Sequence, residues 1–451
     1  MKKQLISLFC ASLLFASCTS ELEQITNESF KKEEKGIIRN IKDYIHNFGT
    51  NNNPSRNVND YTLSPYIYNG DTIMYIVNYK NGGWELMSTD YRAPLVLVSS
   101  DTGYFDPEDK LQEATAVNAY FSLIEKDLYN LSEMSFDHEQ VDNSWKTVKL
   151  FENDIDVAKI KTAPKAMGTA PSNNGEWVLI ETTSPVVTNI INPKKLTSTD
   201  WEQDSPWNNY VPFYTNSNIH AYAGCGPVAA AQYLYYLHYK YGKPATTVTS
   251  GTYNSSSNTY SYSGNASIWN QMAKESTDAG TDYAGIFIGY VGQSCNATYG
   301  KNPYDGTRVN SNNVCSFING FGYNYYTAAI DYTYVQNQLL LGKAVLAYAE
   351  CTLGCGYHMF IIDGYEITEY TTTNIYGWVG KDNMGNDSNE YDEEGNVVSY
   401  SYTYETEVTS NSWKLMMNWG YGNYYNSIKY TINNWNSGGH YFNVNRFIYK
   451  E

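Results

Sequence analysis

Histidine is scarce in this chain, six in 451 residues, and basic residues are outnumbered, 30 against 47 acidic ones. The net charge of -17 excludes a surface built to follow nucleic-acid phosphates or to lie on anionic lipid. Past the N-terminal segment no apolar run is long enough to cross a bilayer as a helix. No fixed-period repeat is present, which excludes solenoids and propellers. No cluster has metal-ligand spacing, and the acidic stretch "GKDNMGNDSNEYDEEGN" does not fit a calcium-binding loop. Neither a metal nor an organic cofactor is expected. Cysteine is rare too, seven residues, so each thiol and each imidazole can be weighed separately.

The first residues, "MKKQLISLFCASLLFASC", carry two lysines, an apolar core of signal-peptide length and small residues before Cys18. "LFASC" resembles a bacterial lipobox. The expectation is a lipoprotein signal over 1–17, lipid on Cys18, and a polar tether over 18–55, with the membrane reached only through that anchor. Export leaves Cys225, Cys295, Cys315, Cys351 and Cys355, an odd count that asks which thiol stays free. The other four can pair in three ways or be small buried hydrophobes; buried thiols are expected for Cys295 and Cys315.

Residues 64–100 read as strands, with "KNGG" as a hairpin turn. A helix follows, with Asp106 as N-cap and Pro107 at the first position. Its apolar stripe runs Leu111, Ala114, Val117, Phe121, Ile124, Leu128 and Leu131. Residues 150–185, rich in Ala, Pro, Gly and Lys, read as an exposed linker, with proteolysis expected within about 155–170. Later come helices after Cys225 and at 265–273, 281–292 and 311–319, then strand-like runs. Helices before strands argue for α+β.

"AYAGCGPVAAAQYLYYLHY" places Cys225 between two glycines at the mouth of a helix. The dipole and open N–H groups there favour thiolate over thiol. A cysteine nucleophile needs a base and a group to orient it. His358 follows a glycine-rich turn and begins the apolar strand "MFIID", which would hold an imidazole rigidly. In "KLMMNWGYGN" the Asn418 amide could accept from one ring nitrogen, and the Trp419 indole could shield that bond. For a developing oxyanion, Cys225 offers its backbone N–H, and Gln203 in "WEQDSPWNNYVP" offers a side-chain donor.

Together these segments resemble the streptopain-like cysteine peptidases, a family of papain fold made as zymogens. "WEQDSPWNNYVP", "AGCGPVAAAQYLYYLHY", "HMFIIDGY" and "NWGYGN" each resemble a family segment. The 133 residues from Cys225 to His358 fall in the papain-like range of about 130–150. "GGWELMSTDYRAPLVLVSSDTGYF" is similar to the family's propeptide strands. The resemblance implies a small α+β propeptide domain over 56–165 that inhibits in cis, and an α+β, papain-like peptidase domain over 166–451. It implies protein or peptide substrates, Cys225 as nucleophile, His358 as base, Gln203 in the oxyanion hole, and Asn418 or Trp419 orienting and shielding His358. Three departures stand out. Pro227 replaces an alanine, about fifty residues separate "DGY" from "NWG" and read as an inserted hairpin, and "YGKNPYDGTRVNSN" replaces a small-residue loop. A rival reading uses the 45 tyrosines as a non-catalytic lipoprotein surface for glycans or peptides. It leaves the pairing of Cys225 with His358 unexplained.

Overall fold

The computed structural model describes residues 36–46, 58–107, 115–133, 145, 175–182, 186–191, 195–242, 251–256, 258–329, 331–351, 356–380, 402–426, 428–432 and 446–450. The signal segment, Cys18 and the expected cleavage region lie outside these residues, as do Cys355 and the 165/166 boundary. Of the tether expected over 18–55, residues 36–46 are described and form a helix instead, whose Ile37, Ile41 and Ile45 make a buried apolar face at four-residue spacing.

In chain order, helix α1 spans 36–46, and strands β1 to β4 span Tyr61–Tyr68, Asp71–Tyr79, Trp84–Ser88 and Val96–Ser100. Helix α2 is Thr115–Ser132; β5 and β6 are Gly175–Thr182 and Val186–Ile191. Helix α3 is Cys225–Tyr241, followed by the small hairpin of β7, Gly251–Ser255, and β8, Asn258–Tyr262. Then come α4 (Ala266–Trp269), α5 (Thr281–Ser294), α6 (Ser311–Asn319), β9 (Tyr325–Ala328) and α7 (Tyr332–Leu340). The chain ends in β10 (Val345–Cys351), β11 (Gly356–Gly380), β12 (Tyr402–Asn418), α8 (Asn423–Asn426), β13 (Lys429–Ile432) and β14 (Arg446–Lys450). The fold is α+β, as expected.

One sheet runs through both ends of the chain, in the order β1-β2-β3-β4-β13-β12-β11-β10-β14-β9. The join is antiparallel, Lys429 opposite Ser99 and Tyr430 opposite Val98. Beside it, Lys429 Nζ lies 2.9 Å from Asp101 Oδ2 and 2.9 Å from Glu366 Oε2, and Lys414 reaches the other oxygen of Glu366 at 3.0 Å. The two lysines hold the Glu366 carboxyl down at about 2 against the opposing effect of burial.

β2 alternates between two cores, as a buried strand must. Met74 and Ile76 face a core shared with α2 and with Phe360, Ile362, Leu415, Met417, Trp419 and Tyr430. Tyr75 and Val77 face a second core closed by Ile37, Ile41 and Ile45 of α1. A third core lies on the other side of β11. There Met359 and Ile361 pack with α3, α5 and α6 around Trp201, Tyr235, Trp269 and Phe287. The β11 residues therefore divide by parity between two cores.

Several expectations are refined. The described helix of the first unit starts at Thr115, and its expected beginning at 106–114 is described only to Pro107. The end of the expected linker is a strand, β5, paired with the outer part of β11 from Asn374–Thr182 to Gly380–Gly175. β strands pair by partner as much as by their own pattern, and that partner is the inserted segment. β11 and β12 form the expected long hairpin, Ile361 opposite Asn418 through Gly377 opposite Tyr402. Cys295 and Cys315 are free and buried, and Cys315 Sγ lies 3.1 Å from the Tyr325 carbonyl.

Candidate active site

Helix α3 opens at Gly224, whose φ of 93° suits glycine and whose helix start no side chain caps. The close approach of a neighbouring loop explains the flanking glycines. A Cβ on Gly224 would lie 2.7 Å from Thr307 Cγ2, and one on Gly226 would lie 2.0 Å from Val309 Cγ1. Thr307 donates to the Tyr222 carbonyl at 2.6 Å, so "YGKNPYDGTRVNSN" braces the nucleophile segment directly. Pro227 sits in the first turn, where its missing N–H breaks no helical bond.

Cys225 is half-buried at that mouth. Its thiol points at the Tyr357 carbonyl, 4.0 Å away, and the backbone N–H groups of Met359, Gly226 and Cys225 itself favour its anion. Tyr357 and Met359 flank His358, so the sulfur lies against the backbone that carries the imidazole. Burial is the larger effect and pushes the thiol up in this full-length chain.

His358 is held from its far side. Its Nε2 lies 2.9 Å from the Trp419 carbonyl. A carbonyl only accepts, so Nε2 carries the proton and Nδ1 is the ring's acceptor. The ring stacks on Tyr421 at 5.2 Å and 11°, with Trp419 and Phe360 at 5.8 and 6.2 Å. This apolar wall lowers the imidazole to about 4, partly offset by the Trp419 carbonyl. The uncharged thiol–imidazole pair is thus favoured, which differs from the thiolate that a helix mouth alone suggests. Desolvation of both groups outweighs a dipole effect of about 1 kcal/mol.

The Trp419 carbonyl faces His358 Nε2, and its indole lies 5.8 Å from the ring. The indole is buried and donates to Tyr430 at 3.1 Å. For Asn418 the reading is corrected: its amide does not meet the ring. Asn418 Oδ1 accepts from Gly420 N–H at 3.2 Å and from Gln232 Nε2 at 3.0 Å, while Nδ2 donates to the Thr199 carbonyl at 2.7 Å. The wide turn after β12 brings a backbone carbonyl to the imidazole instead. Gln203 lies at the segment leading into Cys225, its backbone carbonyl accepting from Ala223 N–H at 2.7 Å. The adjacent Glu202 bridges to Tyr421, and a Cβ on Gly422 would lie 2.1 Å from Glu202 Oε1.

Sequence reasoning missed Tyr421, Asn426 and Gln232. Asn426 accepts from Trp419 N–H at 2.9 Å and donates to Asp200 at 2.8 Å, steadying the same turn. Gln232 had a visible signal, a lone amide in an apolar helical run.

Residues 201–384 match the model of the Peptidase C10 family. Among solved structures the chain is similar to a prointerpain A fragment from Prevotella intermedia, at 16% identity and a TM-score of 0.48, covering 87% of this chain and 98% of that one. It is also similar to the active wild-type interpain A cysteine protease of Prevotella intermedia, at 19% identity and a TM-score of 0.36, covering 58% and 94%. No curated protein matches it. The matched stretch holds Gln203, Cys225 and His358, and its α+β fold, a cysteine-bearing helix against a histidine-bearing sheet, is papain-like. Over residues 201–384 the chain thus carries a cysteine-type peptidase region similar to the Peptidase C10 family.

Proposed function

We propose that this chain is the zymogen of a cysteine endopeptidase acting on proteins or peptides, with Cys225 as nucleophile and His358 as base. The carrying observation is the placement of the sulfur against the backbone of His358, while the Trp419 carbonyl takes Nε2 and leaves Nδ1 as acceptor. In the acylation step His358 Nδ1 accepts the thiol proton and Sγ bonds to the scissile carbonyl carbon. The oxyanion is met by the Cys225 N–H and the Gln203 amide. Collapse breaks the C–N bond, and the imidazolium gives its proton to the leaving amine, forming a thioester. Water, deprotonated by His358, then attacks the thioester and releases the acid and the thiol.

The unit at 56–165 serves as propeptide and intramolecular inhibitor, with 166–451 as the peptidase. Its support is the shared sheet and shared core that tie β1 to β4 and α2 to the strands around His358. Cleavage within 155–170 releases activity, and the neutral pair of the uncut chain suits latency. Lipid on Cys18 anchors the protein to the cell envelope; Cys18→Ser abolishes incorporation of labelled fatty acid if this holds.

Hydrolysis of casein by the activated protein tests the chemistry. Cys225→Ala and His358→Ala each abolish turnover while the folded state persists, because nucleophile and base act as a unit. Retained turnover in folded, activated Cys225→Ala overturns the assignment. N-terminal sequencing of the active species tests the zymogen, which an active uncut chain contradicts.

A further inference from the structure

Helix α3 is buried from Gly226 to Leu237, and Gln232 is the amide within that stretch, with no exposed surface. A buried amide is costly unless its hydrogen bonds are met, so its partners show what it is for. Its Oε1 accepts from Trp201 N–H at 3.0 Å and from Asn418 Nδ2 at 3.1 Å, and its Nε2 donates to Asn418 Oδ1 at 3.0 Å. Gln232 and Asn418 form a reciprocal amide pair, closed off from solvent.

Each partner leads to a different part of the site. Gln232 lies two turns along the helix that Cys225 begins. Trp201 opens the segment whose Gln203 carbonyl holds Ala223, two residues before Cys225. Asn418 Oδ1 takes the Gly420 N–H. That N–H and the Trp419 carbonyl belong to one trans peptide group and point in opposite directions. Holding the N–H on the Asn418 side therefore aims the carbonyl at His358 Nε2, where it lies at 2.9 Å.

We propose that Gln232 is a positioning residue for the peptidase reaction. It sets the nucleophile helix, the Gln203 segment and the carbonyl that orients His358 in one register, without touching substrate. This rests on the reading of Cys225 and His358 as the catalytic pair.

The test uses full-length protein, activated by cleavage, carrying Gln232→Met, which keeps the volume and removes the polar atoms. The expected result is a kcat lower by about a hundredfold with KM little changed, as misplaced catalytic groups give. Iodoacetamide labelling of Cys225 against pH moves toward the His358→Ala profile. Adding Asn418→Leu costs little more, since the two amides act as one. A Gln232→Met enzyme with wild-type kcat and labelling profile, even one with a lowered melting temperature, makes Gln232 a packing residue and overturns the proposal. Should Gln232→Met not fold, Gln232→Glu decides. Its carboxyl still accepts from Trp201 but donates to Asn418 only when protonated, so activity relative to wild type rises as pH falls. A ratio constant across pH overturns the proposal. Failure of the catalytic reading shows separately, as turnover by Cys225→Ala.

Discussion

Cys225 and His358 meet at the site from different cores. The cysteine opens a helix sunk among Trp201, Trp207, Tyr235, Phe287 and Val314, with no described side chain of the first unit in that core. The imidazole lies on the other side of β11, beside Phe360 and Trp419, which share their core with Trp84, Leu86, Leu97 and Leu128 of the first unit. The nucleophile arm is therefore self-sufficient, while the imidazole arm is built partly on the segment proposed to be cut away. The burial that keeps the imidazole neutral comes with the wall of Phe360, Trp419 and Tyr421 around it.

The nucleophile arm is broken most severely at Gly224. Gly224→Ala combines a strained φ with a clash against Thr307 Cβ at 2.8 Å and Cγ2 at 2.7 Å. The cost is about 2–5 kcal/mol, with loss of nearly all activity, and it appears in cut and uncut protein alike. Urea unfolding of both forms and casein hydrolysis by the activated form read it.

The imidazole arm answers to Trp84. Trp84→Ala in the shared core costs about 3–5 kcal/mol in the full-length chain; the activated enzyme no longer contains residue 84. Phe287→Ala, in the helical core, costs a similar amount in both forms. A full-length Trp84→Ala protein as stable as wild type would show that the imidazole arm does not lean on the first unit.

A smaller effect belongs to Asp363, at the β-bulge between Ile362 and Gly364. Its buried carboxyl accepts from Thr197 and is pushed up to about 7 by desolvation. Between its unfolded value near 4 and about 7, the folded state holds a proton that the unfolded state has lost. Stability therefore falls as pH rises through that window. Asp363→Asn removes this slope in melting temperature against pH. The least effect is at the join of the sheet: Asp101→Asn costs under about 1 kcal/mol, because Asp101 is partly exposed and Lys429 keeps Glu366.

The nucleophile arm was the more legible in the sequence because its signals are local. Two glycines, a proline and three alanines around Cys225 state a tight helix start, and helices at 281–292 and 311–319 followed from their spacing. His358 was legible from a glycine turn before an apolar strand. The imidazole's partner was not, because a backbone carbonyl leaves no mark on residue identity. Asn418 drew attention through its side chain, yet acts through Gly420 and Gln232. The pairing of β4 with β13 joins positions some 330 apart, and β5 becomes a strand through its partner in β11. Such contacts are set by tertiary context that a local pattern does not carry. Helix α7 was missed for a related reason: it buries little beyond Val335 and Leu339, too few to make a stripe.

On the proposed function, Cys225 and His358 work as a pair whose charge state depends on the first unit. Iodoacetamide labelling of Cys225 against pH, in the uncut chain, the activated enzyme and activated His358→Ala, tests it most directly. A free thiol titrates near 8.5, and a thiol paired with histidine at a helix start falls to about 3–4. The expected result is slow labelling of the uncut chain except at alkaline pH, fast labelling of the activated enzyme at about pH 5–6, and loss of that acid-side reaction in His358→Ala. Labelling of the activated enzyme that is unchanged by His358→Ala would contradict it.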